Sequence, residues 1–155
     1  MSFCQGEKWT SHPDTSIFHS YTSNDISVEK LQSRASGRFI LVYYYEHFSM
    51  RVNHFNQWVM GDTSVYNFIQ DNFYPVCIDL DIDKMGPNEA DIKRSKTYRK
   101  FLRDQAYYVE KTPAFSIYNP KGELKGTKTF LNAKRENAKE IIATVLDWMK
   151  KRLIE

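Results

Sequence analysis

The stretch TPAFSIYNPKGEL, residues 112 to 124, contains the clearest supersecondary signal of the chain. Its apolar segment from Ala114 to Tyr118 has the length of a strand. Asn119-Pro120-Lys121-Gly122 follows, and these are residue types that form tight turns. A further strand is expected around Leu124 to Phe130. The stretch therefore predicts an antiparallel hairpin that begins next to Pro113.

Two apolar runs lie further towards the N-terminus, FILVYYY at residues 39 to 45 and FYPVCIDL at residues 73 to 80. Strands that are apolar on both faces are typical of the centre of a sheet that is covered on both sides. Pro75 is tolerated because it stands near the start of its strand. A helical segment separates the two runs, so we expect a right-handed crossover between parallel strands. The pattern predicts an α/β fold.

Apolar residues at helical spacing predict four helical regions. The segment from His54 to Phe73 is interrupted at Gly61-Asp62-Thr63, where Asp62 is a candidate N-cap. The other predicted helices are residues 26 to 36, capped by Asn24 or Asp25, residues 89 to 107, and residues 133 to 153.

A chain of 155 residues is long enough for one compact domain and too short for two full ones. Residues 1 to 25 are polar with scattered aromatic rings, and we expect them to form an irregular arm that packs on a domain formed by residues 26 to 155. With 41% hydrophobic and 26% charged residues, the composition excludes a disordered or fibrous protein.

A net charge of +3 is too balanced to indicate a nucleic-acid or membrane partner. Cys4 and Cys77 have the spacing of neither a zinc site nor a disulfide framework, so we expect no metal. The first residues lack the apolar run of a signal peptide, and no apolar segment has the ~18 residues of a membrane span. We expect a soluble protein, cytoplasmic or exported with its signal removed.

Three segments together resemble the thioredoxin superfamily. They are ILVYYY leading into the Phe48-Ser49 turn, YPVCIDLD, and TPAFSIYNPKGEL. The resemblance covers residues 37 to 153. Within the superfamily, the chain is similar to the subgroup that includes anterior-gradient proteins and UAS domains. It implies a thioredoxin-like three-layer fold with a central mixed sheet of about four strands. It also implies that Pro113 is the cis-proline facing the active site and that the backbone of Thr112 pairs with an extended substrate.

The chemistry of the family does not carry over to this chain. Where a family oxidoreductase has Trp-Cys-Gly-Pro-Cys, this sequence reads Phe48-Ser49-Met50-Arg51-Val52. Ser49 stands at the nucleophilic thiol and Val52 at the resolving thiol, so no disulfide can form there. Tyr43 aligns with the buried aspartate that assists the second thiol, and we expect its ring in the core beneath the Ser49 turn. The resemblance implies no cofactor.

Other kinds of site have weaker signals. Ser49 with His47 or His54 could suggest a hydrolase, but a catalytic triad also needs an orienting carboxylate, which cannot be placed. Ser49 is interpreted as a helix N-cap, a position that serine favours. The Asp79 to Ala90 segment begins like a calcium loop, yet lacks its glycine and its last glutamate. Basic residues between Lys93 and Arg103 fit a solvated helix face better than a phosphate site. Cys77 is interpreted as an inert core residue.

The resulting hypothesis is a redox-inactive domain that binds a protein or an extended peptide, with neither nucleic acid nor membrane as partner. The candidate binding residues surround the former active site: His47, Phe48, Ser49, Met50, Arg51, Val52, Thr112 and Pro113. Two alternatives stay open. The site has decayed and another surface acts, or the chain is a thiol-dependent oxidoreductase or glutathione-linked enzyme that uses Cys4 or the Ser49 turn.

Overall fold

The computed structural model describes residues 17–21, 27–80, 111–130 and 132–154. In chain order these residues form the strands and helices β1 (His19–Ser20), α1 (Val28–Ala35), β2 (Phe39–Tyr45), α2 (Met50–Phe55), a π-helical turn (Asn56–Met60), α3 (Thr63–Asn72), β3 (Phe73–Asp79), β4 (Ala114–Tyr118), β5 (Leu124–Thr129) and α4 (Ala138–Ile154). Within this part of the chain no helix is both long enough and apolar enough to cross a membrane.

The strands form one mixed sheet in the order β1-β3-β2-β4-β5. β3 lies between β1 and β2 and is parallel to both, while β4 is antiparallel to β2 and to β5. The two central parallel strands are in register from Phe39 opposite Phe73 to Tyr45 opposite Asp79. Their carboxyl ends therefore reach the same edge of the sheet. This strand order, with a helical connection from β2 to β3, is a thioredoxin-like fold.

The two faces of β2 pack against different groups of residues. Leu41, Tyr43 and Tyr45 belong to the larger buried cluster, which includes side chains of α2, α3 and α4. The alternate residues of the strand, Ile40, Val42 and Tyr44, belong to a second cluster with Leu31 and Ala35 of α1. The prediction of a layered sheet covered on both faces is confirmed.

The first residues of the described chain correct the prediction of an irregular arm. His19 and Ser20 pair in parallel with Val76 and Cys77, so the sheet has five strands instead of about four. The edge of β3 offers unpaired backbone groups, and these two residues satisfy part of that edge. Ile17, Phe18 and Tyr21 are buried, as expected from docking through apolar and aromatic side chains. The division at residue 25 stays a prediction.

Two helix boundaries also differ from expectation. The cap of α1 is Ser27, whose hydroxyl accepts the Lys30 N–H at 3.2 Å, instead of Asn24 or Asp25. The last helix begins at Ala138 instead of residue 133. The Asn137 side chain accepts the Lys134 N–H and donates to the carbonyl of Asn132, at 2.7 and 2.9 Å. Such side-chain bonds compete with helical ones, so the backbone turns before the helix starts.

The hairpin and the interrupted helix agree with the sequence. Asn119 accepts the backbone N–H groups of Lys121 and Glu123 through its side chain, and Gly122 has a φ of +82° that favours glycine. Asp62 caps α3 by accepting the N–H groups of Ser64 and Val65. The predicted helix at 89 to 107, the basic residues on it and most of the calcium-loop segment lie outside the described residues.

Candidate functional site

The Ser49 turn connects the carboxyl end of β2 to α2. Ser49 has an extended backbone, and its hydroxyl accepts the Val52 N–H at 3.4 Å. Its own N–H donates to the carbonyl of Glu46 at 3.0 Å, which closes the turn. The interpretation of Ser49 as a helix N-cap is therefore confirmed, and its hydroxyl oxygen is engaged by the helix.

The residues after Ser49 divide between the two sides of α2. Val52 and Phe55 are fully buried and pack into the larger core cluster. Met50, Arg51 and His54 are exposed, with 65% of Met50 accessible. Neighbours three and four positions apart share one side of a helix, which explains the division. The exposed residues Phe48, Met50, Arg51 and His54 are called the turn face below.

The prediction of an exposed binding surface is therefore wrong for three of its residues. We expected Val52, Thr112 and Pro113 to be exposed together with Phe48, Met50 and Arg51. Val52 has no accessible surface, only 1% of Thr112 is accessible, and Pro113 is buried. Val52 lies on the same side of α2 as Phe55, three positions later, and this side packs into the larger core cluster.

The Thr112–Pro113 segment does reach the Ser49 turn. The peptide bond between the two residues is cis, as the resemblance implies. Thr112 Oγ1 donates to Glu46 Oε1 at 2.7 Å, and the Pro113 carbonyl accepts the Phe130 N–H at 3.1 Å. These bonds fix the start of β4 against the residue that follows β2.

His47 and Asp79 form a largely shielded polar contact at this edge of the sheet. Nδ1 of His47 lies 2.6 Å from Oδ2 of Asp79, and their side chains are 18% and 7% accessible. The His47 ring also contacts the Phe48 ring, with centroids 3.8 Å apart.

Asp79 was missed in the sequence as a partner of His47. The signal was present, because Asp79 is the next-to-last residue of one predicted parallel strand and His47 follows the other by two residues. Side chains at the carboxyl ends of neighbouring parallel strands meet at one edge. The calcium-loop pattern and the alternation of the strand both favoured other interpretations of Asp79.

Tyr43 lies in the core beneath the turn, as predicted, with no accessible surface. Its ring contacts those of Phe18, Tyr45, Phe55 and Phe115, and its hydroxyl donates to Oδ1 of Asn56. Burial raises the Tyr43 pKa well above its usual value, and nearby Tyr45 and Cys77 raise it further. The phenol therefore stays neutral and acts as a hydrogen-bond donor.

Asn56 is the second residue near the Ser49 turn whose hydrogen bond the sequence did not reveal. It is fully buried and opens the π-helical turn that follows α2. Short π-helical segments within helices often occur at functional sites. Here the turn brings the amide of Asn56 to the Tyr43 hydroxyl, so a tyrosine–amide pair occupies the region below the Ser49 turn.

Cys77 cannot replace the thiols that are absent from the turn. It is a buried free cysteine on β3, with Sγ 3.4 Å from the Ser20 hydroxyl. Burial raises the Cys77 pKa to about 11, and Asp79 adds to this effect while the Ser20 hydrogen bond opposes it. A thiol with such a pKa is a poor nucleophile near neutral pH, which agrees with its interpretation as an inert core residue. Cys4 lies outside the described residues.

In the part of the chain that the structure describes, no group of three or more His, Cys, Asp or Glu side chains could hold a metal ion. The turn face is exposed to solvent, and the contact with Asp79 holds His47 beside it.

No protein-family model and no curated protein matches the chain. Similar solved structures include a disulphide isomerase from Xylella fastidiosa Temecula1, with 16% identity, coverage of 77% of this chain and 88% of that chain, and a TM-score of 0.48. A thioredoxin from Thermus thermophilus is 18% identical over 83% of this chain and 88% of its own, with a TM-score of 0.47. A DsbH oxidoreductase is 10% identical over 86% of this chain and 88% of its own, with a TM-score of 0.49. The strand order of the chain is itself that of a thioredoxin-like fold.

Proposed function

We propose that the chain is a redox-inactive thioredoxin-like module that binds an extended polypeptide segment at the turn face. The observation that carries the proposal is the exposure of Phe48 at 77% and Met50 at 65%. Among the large hydrophobic residues in the described part of the chain, only these two and Ile154 are exposed. Phe48 and Met50 are two positions apart on either side of Ser49, whereas Ile154 is distant in sequence. Adjacent exposed apolar side chains indicate an interaction surface more strongly than scattered ones.

The absence of thiols at the turn supports binding in preference to catalysis. Ser49 and Val52 stand where a thioredoxin-like oxidoreductase needs two cysteines, and neither side chain forms a disulfide. The buried thiol of Cys77, with its pKa of about 11, offers no reactive substitute.

The hydrogen bonds around the turn support the proposal in a second way. Ser49 caps α2, Thr112 donates to Glu46, and His47 is bonded to Asp79. A surface whose backbone is already held in place loses less conformational entropy when it binds a ligand. Phe48 and Met50 therefore act as anchors on an ordered turn, with buried Val52 and Pro113 forming part of the interior beneath it.

The experiment is a selection from a random linear peptide library on the full chain, followed by affinity measurement of the recovered peptides. If Met50 is a central anchor, Met50→Asp weakens their binding by roughly 2 kcal/mol or more, and Phe48→Ser has a similar effect. Both substitutions are at exposed positions and should move the free energy of unfolding by less than about 0.5 kcal/mol.

Ala143→Asp is the matched control, because it adds the same charge at an exposed position of α4. The proposal is abandoned if no recovered peptide depends on Phe48 or Met50 while the variants remain folded. That result would favour a decayed site and a different active surface.

The alternative of an enzyme is tested by insulin-disulfide reduction with dithiothreitol as the donor. A binding module gives no acceleration over dithiothreitol alone. Acceleration that disappears in Cys4→Ser would support the thiol-dependent enzyme and would count against the proposal.

A further inference from the structure

We infer that the segment bound at the turn face is acidic, with one large apolar side chain flanked by aspartate or glutamate. This inference rests on the proposed function and adds the chemistry of the partner to it. Its basis is the distribution of charge around Phe48 and Met50.

The turn face carries basic groups and no acidic ones. Arg51 and His54 are both exposed and three positions apart, so they lie on the same side of α2 as Met50. The first turn of this helix contains no acidic residue, and the sequence from His47 to Gly61 contains no Asp or Glu. The apolar anchors are therefore bordered by the Arg51 guanidinium and the His54 imidazole.

The acidic residues that follow β2 and end β3 are both held by hydrogen bonds within the protein. Glu46 accepts a hydrogen bond from the Thr112 hydroxyl at 2.7 Å, and only 1% of Thr112 is accessible to solvent. Asp79, 7% accessible, is bonded to His47. Their hydrogen bonds stabilise the turn, whereas the exposed guanidinium of the turn face, that of Arg51, is positively charged. Charge complementarity then favours a negatively charged ligand and disfavours a positively charged one.

The test uses a random peptide library in which acidic and basic residues are equally frequent. Peptides recovered on the wild-type chain should be enriched in Asp and Glu next to an apolar residue. For the best recovered peptide, replacing its flanking Glu by Lys should weaken binding roughly fivefold or more at low salt. High salt should reduce this difference, since exposed charges are screened.

Arg51→Glu provides the discriminating variant, with Lys139→Glu on α4 as its control because Lys139 is also exposed. Arg51→Glu should remove the acidic enrichment and shift selection towards basic peptides, whereas Lys139→Glu should leave the enrichment unchanged. The inference is overturned if acidic and basic peptides bind equally well, or if Lys139→Glu changes the preference as much as Arg51→Glu does.

Failure of this inference is distinguishable from failure of the proposed function. Peptides that bind with dependence on Met50 but show no charge preference would retain the binding module and reject the acidic partner. If no recovered peptide depends on Phe48 or Met50, both ideas fail together.

Discussion

His47 and Asp79 join the ends of two adjacent parallel strands through a contact of 2.6 Å between Nδ1 and Oδ2. Both side chains are largely shielded from water, and Asp79 belongs to the last register pair of the central strands, opposite Tyr45. The contact stabilises the end of β3 and holds His47 beside Phe48. It thus connects the sheet to the proposed binding surface.

We expect a double-mutant cycle of His47→Ala and Asp79→Ala to give a coupling free energy of about 1 kcal/mol or more, because a shielded charged hydrogen bond is worth more than an exposed one. The control cycle is Asp147 with Lys151 on α4, 3.0 Å apart and both 64% accessible, for which we expect less than about 0.5 kcal/mol. Urea denaturation measures both cycles. Equal coupling in the two pairs would contradict the assigned importance of His47 and Asp79.

Tyr43→Phe should lower the free energy of unfolding by about 1 to 3 kcal/mol, since Oδ1 of fully buried Asn56 loses the donor that the Tyr43 hydroxyl provides. Tyr74→Phe is the control. The Tyr74 hydroxyl bonds to that of Tyr21 at 2.8 Å, but Tyr74 is only partly buried and water can replace the bond, so a smaller loss is expected. Equilibrium denaturation in urea distinguishes the two, and a Tyr43→Phe variant as stable as wild type would refute the prediction.

Ser49→Cys combined with Val52→Cys should restore a dithiol at the turn. The two positions are the N-cap and the third residue of α2, a spacing at which their side chains meet. In a Cys4→Ser background we expect an intramolecular disulfide on oxidation and acceleration of insulin reduction, whereas either single substitution gives neither. Mass spectrometry after alkylation measures the bond. Failure of the folded double variant to form it would show that Ser49 and Val52 do not occupy the positions of the two thiols.

The raised pKa of Cys77 predicts a loss of stability in alkali. In the unfolded chain the thiol ionises near 9, whereas in the folded chain its pKa is about 11. Between these values the native state holds a proton that the unfolded state has released, so the free energy of unfolding falls as pH rises. The loss from this one group is about 2 to 3 kcal/mol at most.

Urea midpoints at pH values below 9 and near 11 measure this loss, in a Cys4→Ser background so that Cys77 is the one thiol. Cys77→Ala should reduce the slope. Some slope should persist, because burial also raises the pKa of Tyr43 and Tyr44. An unchanged slope in Cys77→Ala would mean that the thiol ionises alike in both states.

Much of the fold was predictable because its signals are local. The apolar runs of β2 and β3, the Asn119–Gly122 turn and the caps Ser49 and Asp62 depend on residues within a few positions of each other. Side-chain type and spacing therefore suffice to place them. The absence of cysteine at positions 49 and 52 is likewise a property of the sequence alone, and it excludes dithiol chemistry at the turn.

The contacts that shape the candidate site depend on the tertiary structure. His47 and Asp79 are separated by 32 positions, and Thr112 and Glu46 by 66. Whether such groups meet is determined by strand order, register and side-chain direction, which no short window of sequence contains. The same is true of β1, whose two residues have no strand pattern and pair only because the edge of β3 is available to them. Val52 is buried while Met50 is exposed because α2 packs on the sheet with one side inwards, and only the packed fold fixes which side that is.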